Sequence, residues 1–412
     1  MNDIYVIGVG MTPFGRHLDL DMKALTRQAV EAAIADAGVQ KEQLEAAFFG
    51  NTSQGHMEGQ HMIRGQIALR AMGIGRIPVV NIENACASGS SAFALACSHL
   101  KSGAGDVALA VGTEKMFSTD KARMFSVFDS AWDISRAHEI RDSLMRLGRD
   151  VTVPEGTTSP KPYSVFMDVY AAFARSHMRT FGTTQRQLAA VAAKNHAHSV
   201  HNPLSQYRVA YTIDEILAAP PITYPLTLPM CSPISDGAAA AILCTGEALK
   251  RLNLDARRAI RVLATVVQSG SDREESDYRS HCTALAAKKA YDLAGVGAAD
   301  ISVAEVHDAT AMGEIIQSEN LGFCEFGMGG VIAERGDTSL GGRIPINPSG
   351  GLESKGHPVG ATGLAQIHEL VTQLRGEAGK RQVEGARLAL AENGGGLEGI
   401  EEAVACITIL GR

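Results

Sequence analysis

The run Asn84-Ala85-Cys86-Ala87-Ser88-Gly89-Ser90-Ser91-Ala92 decides the reading of this chain. Before it, Ile77 to Ile82 is largely apolar and reads as a buried strand. After it, Ser88 to Leu100 reads as a helix, so Cys86 falls at a strand-to-helix turn. A thiol there meets the positive end of a helix dipole and free backbone N–H groups. Those groups lower its pKa and offer a nearby oxyanion a seat. The competing reading is a small buried cysteine with inert sulfur, and the rest of the chain decides between the two.

Working outward, the segments on either side repeat. The opening strand Tyr5 to Val9, a helix from Met22 to Ala37 that stops at Gly38, and a strand near Ala46 to Phe49 have counterparts. These are a helix from Thr283 to Ala294 that stops at Gly295 and a strand from Val303 to Val306. Gly38 and Gly295 lie 257 positions apart, and the same offset carries Phe49-Gly50-Asn51 onto Val306-His307-Asp308. A second offset, 274, carries Ser88-Gly89 through Leu100-Lys101 onto Thr362-Gly363 through Leu374-Arg375. The helix after Cys86 therefore has a twin after Gly356-His357-Pro358, and His357 belongs to the matching turn of a second half.

Each twin helix leads to an apolar strand, Val107 to Val111 or Arg387 to Ala391. Each half closes with another, Ala238 to Cys244 or Ala403 to Leu410. The first half carries roughly 115 extra residues between its last two strands, about Phe117 to Met230, too many for a structureless loop. We expect an N-terminal half of residues 1–116 and 231–256, an inserted lid-like domain of residues 117–230, and a C-terminal half of residues 257–412. Strand–helix alternation implies α/β halves that share a helical layer, with sites beyond the carboxyl ends of strands. Cys86, His307 and Glu392 each follow a strand end, and His357 precedes a helix.

The totals agree with a compact globular protein. Of 412 residues, 45% are hydrophobic and 20% charged, and the formal net charge is −7 with no long basic block, which argues against a nucleic-acid surface. No apolar run is long enough to span a membrane. Met1-Asn2-Asp3-Ile4 lacks the layout of a signal peptide, and Leu410-Gly411-Arg412 is not a peroxisomal address. Seven cysteines without paired metal spacing suit a reducing compartment. The expectation is a cytoplasmic protein with no bound metal.

With these features in place, the chain resembles the thiolase superfamily, most closely its sterol-carrier-protein-type branch and acetyl-CoA acetyltransferases. The resemblance is carried by the Cys86 turn, Gly112-Thr113-Glu114-Lys115-Met116, Lys194-Asn195-His196-Ala197-His198-Ser199, and Ser235-Asp236-Gly237-Ala238-Ala239-Ala240. Val306-His307-Asp308 and Asn347-Pro348-Ser349-Gly350-Gly351 through Gly356-His357-Pro358-Val359-Gly360-Ala361-Thr362-Gly363 complete it. It implies a five-layered α-β-α-β-α fold from two duplicated halves, with a loop domain inserted in the first. It also implies coenzyme A thioesters as substrates with no permanently bound cofactor, and a homodimer or dimer of dimers.

By the same resemblance Cys86 is the acylated nucleophile and His357 its activating base. His307 lies in the pocket of the second thioester's oxygen, Gly394 centres a loop that completes the oxyanion hole, and Ser232 contacts the pantetheine arm. Lys194, His196 and His198 face either coenzyme A or solvent. Phe166-Met167, Met116-Phe117 and Met124-Phe125 line an acyl tunnel or pack as core.

The pattern breaks at the second, acid/base cysteine. The two places where relatives carry it read Glu392-Asn393-Gly394-Gly395-Gly396 and His307-Asp308-Ala309-Thr310. Three readings stay open. Glu392 serves as the base, its pKa raised by burial. Alternatively, Cys86 transfers acyl groups to an acceptor needing no α-deprotonation. In the third reading, the fold serves carbon–carbon cleavage or lipid and CoA binding together with a small CoA-binding partner protein. A ketoacyl synthase fits less well, because the Gly356-His357-Pro358 turn suits thiolases.

Overall fold

Every residue of Val107–Glu114 and Gly237–Thr245 is buried, which a strand achieves only when both faces of its sheet are covered. The computed structural model describes residues 3–412; Met1 and Asn2, part of the N-terminal run read above for a signal layout, lie outside the described residues. In chain order the strands are β1 (Ile4–Met11), β2 (Ala46–Gly50), β3 (Val79–Ile82), β4 (Val107–Glu114), β5 (Pro221–Thr223), β6 (Leu226–Thr227), β7 (Gly237–Thr245), β8 (Ile260–Ser269), β9 (Val303–Glu305), β10 (Leu388–Gly395) and β11 (Val404–Gly411). β5 and β6 form a small hairpin. The other nine hydrogen-bond in the order β3-β2-β4-β7-β1-β8-β11-β10-β9.

Read outward from the β1/β8 seam, the two sides repeat the same pairings. β1–β7 and β8–β11 are antiparallel, as are β7–β4 and β11–β10, while β4–β2 and β10–β9 are parallel. The seam itself pairs only Tyr5 with Arg261 and Val6 with Ile260. β3 has a vestigial counterpart, the single parallel bridge between Ala304 and Ile346.

Side-chain alternation separates the layers. Ala108, Ala110, Ala239 and Ala241 from one half, and Ala389 and Ala391 from the other, join a common core with the twin helices Ser88–Lys101 and Thr362–Arg375. Leu109, Val111, Ala240 and Ile242 face the opposite way, against the helix Met22–Ala37. In the second half Leu390, Ala405, Ile407 and Ile409 pack on the helix Cys282–Ala294. The layers therefore run α-β-α-β-α with the twins in the middle, as the duplication and the resemblance implied.

One element differs from its expected form. The stretch read as a buried strand from Ile77 to Ile82 is the four-residue strand β3, with Val80 43% exposed. It pairs with β2 alone and so forms an edge of the sheet.

The halves meet backbone to backbone at glycines. A Cβ on Gly112 would collide with the Gly360 carbonyl, one on Gly363 with Ser90 Oγ, and one on Gly89 would stand 2.8 Å from the Gly360 oxygen. Between residues 117 and 230 the main helices are Phe166–Phe181 and Gln185–Ser199. Tyr170, Ala174, Leu188 and Ala192 of this pair meet Met312 and Ile315 of the helix Ala311–Asn320. The buried Asp236 ties down the start of this segment, accepting from the N–H groups of Met116 (2.7 Å) and Phe117 (2.8 Å).

Overpacking at such a contact has no flexible side chain to absorb it. Gly112→Ala is expected to lower stability by about 1–3 kcal/mol. The check is urea unfolding: the midpoint should fall with an unchanged m-value.

Candidate active site

Cys86 sits in a turn that its neighbours pin from several sides. Ser88 Oγ accepts from the Asn84 N–H (2.9 Å) and donates to the Ala85 carbonyl (2.7 Å), which also accepts from Thr52 Oγ1 (3.1 Å). Ala85 adopts a left-handed conformation, φ 47°, which costs a non-glycine residue energy and persists only where surroundings enforce it. β10 passes close by. A Cβ on Gly395 would collide with the Asn84 carbonyl and stand 2.8 Å from the Ala87 nitrogen.

His357 comes from the matching turn of the second half. Its N–H donates to Ser235 Oγ (2.9 Å). Gly356 precedes it at φ 110°, where a Cβ would press on that same hydroxyl at 2.7 Å. Glu114 links the two turns. Its carboxylate accepts from the Gly360 N–H (2.9 Å), the Thr52 N–H (3.0 Å), the Ser53 N–H (2.8 Å) and Asn51 Nδ2 (2.9 Å).

These turns place His357 Nε2 3.3 Å from Cys86 Sγ. The tautomer follows from the other ring nitrogen. Nδ1 lies 2.6 Å from Thr362 Oγ1, whose own proton goes to the Pro358 carbonyl at 3.0 Å. The hydroxyl must then accept from Nδ1–H, which leaves a lone pair on Nε2 facing the thiol.

Burial, and after it the repulsion of His307 and Lys355, holds the His357 imidazole well below its usual pKa, so it is neutral. The sulfur departs from expectation. Desolvation, reinforced by the Glu114 carboxylate, pushes the Cys86 thiol up to about 12, although the N–H groups of Cys86 and Gly396 pull the other way. The dipole of the following helix does not overcome an enclosed apolar site. The resting pair is thiol and neutral imidazole, a geometry in which the imidazole Nε2 can accept the thiol proton.

The cavity in front of Sγ is about 750 Å³ and includes Cys86, Ser232, His307, Ala309 and His357 in its lining. Its apolar wall includes Val127, Phe128, Phe166, Met167 and Tyr170. Phe166-Met167 thus faces the cavity, whereas Met116 packs inside a core with Val127 and Val359. The rings of His307 and His357 stand 5.2 Å apart. His307 is buried with neither ring nitrogen bonded to a partner among the described residues, and burial lowers its pKa to about 4. A neutral imidazole so placed donates one N–H into the cavity.

Cys86, His307 and His357 also form a Cys/His/His donor set with ligand atoms within 4.8 Å of one another. A cation bound there would occupy a sulfur lone pair of Cys86.

The remaining sequence candidates divide. Ser232 lines the cavity, its N–H bonded to the Ala309 carbonyl at 2.9 Å. Glu392 does not reach the cavity wall. Fully buried, it accepts from the His307 N–H at 2.8 Å and so braces that turn, and burial together with Glu402 drives its carboxyl well above the usual range. Of the three glycines, Gly395 and Gly396 line the cavity. Gly394 instead lies against the Glu402 side chain.

No residue of the Lys194 to Ser199 stretch lines the cavity. Lys194 pairs with Glu314 (3.0 Å) and donates to the Ile346 carbonyl (2.8 Å), Asn195 donates to Asp308 (3.0 Å), and His198 bonds the Asn347 carbonyl (3.0 Å). His196 is buried too, its Nε2 bonded to the Pro229 carbonyl at 3.1 Å. Helical spacing turned these polar groups inward beneath the His307 turn, which residue type alone does not reveal. Thr362 and Glu114 stood in quoted motifs without a role: Thr362 acts through the His357 ring five residues before it, and Glu114 through the Gly360 N–H of the other half.

The thiolase N-terminal domain matches residues 4–213, and the thiolase C-terminal domain-like family matches residues 264–412. Over 403 residues the chain is 39% identical to an acetyl-CoA acetyltransferase of Methanothermobacter thermautotrophicus, with 97% of this chain and 98% of that one aligned. It is 36% identical over 399 residues to sterol carrier protein 2 of Rattus norvegicus, covering 95% of this chain and 69% of the relative. In fold it is similar to an Ltp2-ChsH2(DUF35) aldolase, with a TM-score of 0.78 at 22% identity over 100% of this chain and 98% of that one. The chain belongs to the thiolase family, and with it to the acyl-CoA C-acyltransferases.

A buried thiol should ionise late. The difference in thiolate absorbance near 240 nm between wild type and Cys86→Ala is expected to stay flat through neutral pH and rise only toward about 12. A step between pH 6 and 9 would instead reveal a resting thiolate–imidazolium pair.

Proposed function

We propose that the chain takes an acyl group from an acyl-CoA thioester onto Cys86 and passes it on in Claisen-type carbon–carbon bond formation, or runs the same steps backwards as thiolysis. The observation that carries this is the 3.3 Å approach of His357 Nε2 to Cys86 Sγ, with the tautomer set by Thr362, at the floor of a largely apolar cavity. His357 removes the thiol proton as sulfur attacks the thioester carbonyl, then returns it to the departing CoA thiolate. The N–H groups of Cys86 and Gly396 lie on the sulfur's side and suit the oxyanion of that adduct. His307 donates to the second thioester's oxygen, where enolate charge develops, and Ser232 meets the pantetheine arm at the mouth.

The finer assignments belong to the same proposal. Coenzyme A arrives as part of the substrate and no cofactor stays bound. The assembly is a homodimer or dimer of dimers, and the protein works in the cytoplasm; among the described residues no helix is long and apolar enough to cross a membrane. Residues 117–230 act as an inserted lid between the first-half segments 1–116 and 231–256, and residues 257–412 form the second half. The absence of cysteine at positions 309 and 392 favours one second reading. In it, carbon–carbon cleavage or CoA and lipid binding depends on a small partner protein.

Intact-mass measurement after incubation with acetyl-CoA separates these readings. An acetyl adduct on the wild type that is absent from Cys86→Ala is the expected result, and His357→Asn should slow its formation by roughly 100-fold to 10,000-fold. An unmodified isolated protein that becomes acylated only with a copurifying second chain would favour the partner-dependent reading.

A further inference from the structure

The α-proton of the second acyl-CoA needs a base, and neither place expected to supply one does so: Ala309 has no such group and Glu392 lies behind the wall. One other carboxyl reaches the cavity. Glu402 lines it together with Cys86, His307 and His357, and its opposite side faces a second crevice of about 610 Å³ lined in part by Arg273, His281 and Asn320.

Glu402 is held in place rather than loose, its side chain 12% exposed. Gln317 Nε2 donates to Oε1 at 2.8 Å. His281 Nδ1 accepts the Thr283 N–H at 3.2 Å, so its ring proton sits on Nε2, 3.3 Å from Glu402 Oε2, and the Cys282 thiol donates to that same oxygen at 4.0 Å. The Gln317 amide and the Cys282 thiol favour the carboxylate. The site also depends on Gly394, because a Cβ there would stand 2.6 Å from Glu402 Cγ and 3.3 Å from its carboxyl carbon. Gly394, which the resemblance made the centre of an oxyanion loop, is the seat of this side chain.

We propose that Glu402 is the general acid/base of the α-proton step, in place of the cysteine that this chain lacks; the proposal rests on the acyltransferase reading above. The Glu402 carboxylate takes the α-proton of the second acyl-CoA, leaving an enolate whose oxygen His307 faces. The enolate carbon attacks the acyl-Cys86 carbonyl, the carbon–carbon bond forms, and the carbon–sulfur bond breaks to release the Cys86 thiolate. The proton held by Glu402 then restores the thiol, so the proton count closes without a further reactant.

Burial, opposed by its own N–H and reinforced by Glu401, raises the Glu402 carboxyl to about 7, where both protonation states are accessible. The ionisable groups packed around it are His281, Cys282, Arg273, Glu401, Glu392 and Tyr170. Arg273 is paired with Glu401 at 2.9 Å.

Acetyl-CoA in D₂O tests this with two readouts on one sample, the Cys86 adduct by intact mass and deuterium entering the acetyl group. Glu402→Gln should still form the adduct while exchange and condensation fall by roughly 100-fold or more. Glu402→Asp should keep measurable exchange with a displaced pH profile, and Gly394→Ala should lose exchange by displacing the carboxyl. Exchange at the wild-type rate in Glu402→Gln overturns the proposal, as does loss of adduct and exchange in equal proportion. A wild type that forms no adduct overturns the acyltransferase reading instead, and exchange in that sample still reads Glu402 by itself.

Discussion

The structure depends on how closely two halves of one duplicated chain approach at Gly89, Gly112 and Gly360. No side chain intervenes there, so the backbone of the His357 turn rests on β4 and on the start of the helix that follows Cys86. The Gly360 N–H then reaches Glu114, whose carboxylate also holds the Asn51 to Ser53 loop. Cys86 from one half and His357 from the other come within hydrogen-bond distance because this seam has no slack. Four N–H donors converge on the Glu114 carboxylate in its fully buried site, which compensates much of the cost of taking it out of water.

Desolvation sets the chemistry of the cavity. It raises the Cys86 thiol, lowers His307 and His357, and lifts Glu392 and Glu402. The Cys86 thiol and the two imidazoles are therefore neutral at rest, whereas Glu402, at about 7, has both protonation states within reach. In such a site fixed N–H donors act more strongly than in water, because no solvent must reorganise.

Beneath His307 lies a dense buried polar layer. Lys194 with Glu314 and Lys355 with Glu305 are paired at 3.0 and 2.9 Å, and Asp308 accepts the Leu352 N–H at 2.8 Å. Buried ion pairs are weak contributors to net stability, since desolvation offsets much of their attraction. Their value here is geometric. They connect the helix Gln185–Ser199, the His307 turn and the Asn347 to Lys355 segment through directional bonds that apolar packing would not supply.

Sequence alone determined the duplication, because constant offsets between Gly38 and Gly295 and between the twin helices survive in residue type. It also marked the Cys86 and His357 turns, since small residues crowd wherever backbones touch. It left open which glycine does what and which carboxyl reaches the cavity. Glu392 and Gly394 stand in the right motif, yet strand alternation aims the Glu392 carboxyl at the His307 N–H and makes Gly394 the seat of Glu402. Glu402 lies outside every quoted motif. Only the antiparallel return of β11 alongside β10 brings it to the cavity, a consequence of pairing between segments that no local pattern encodes.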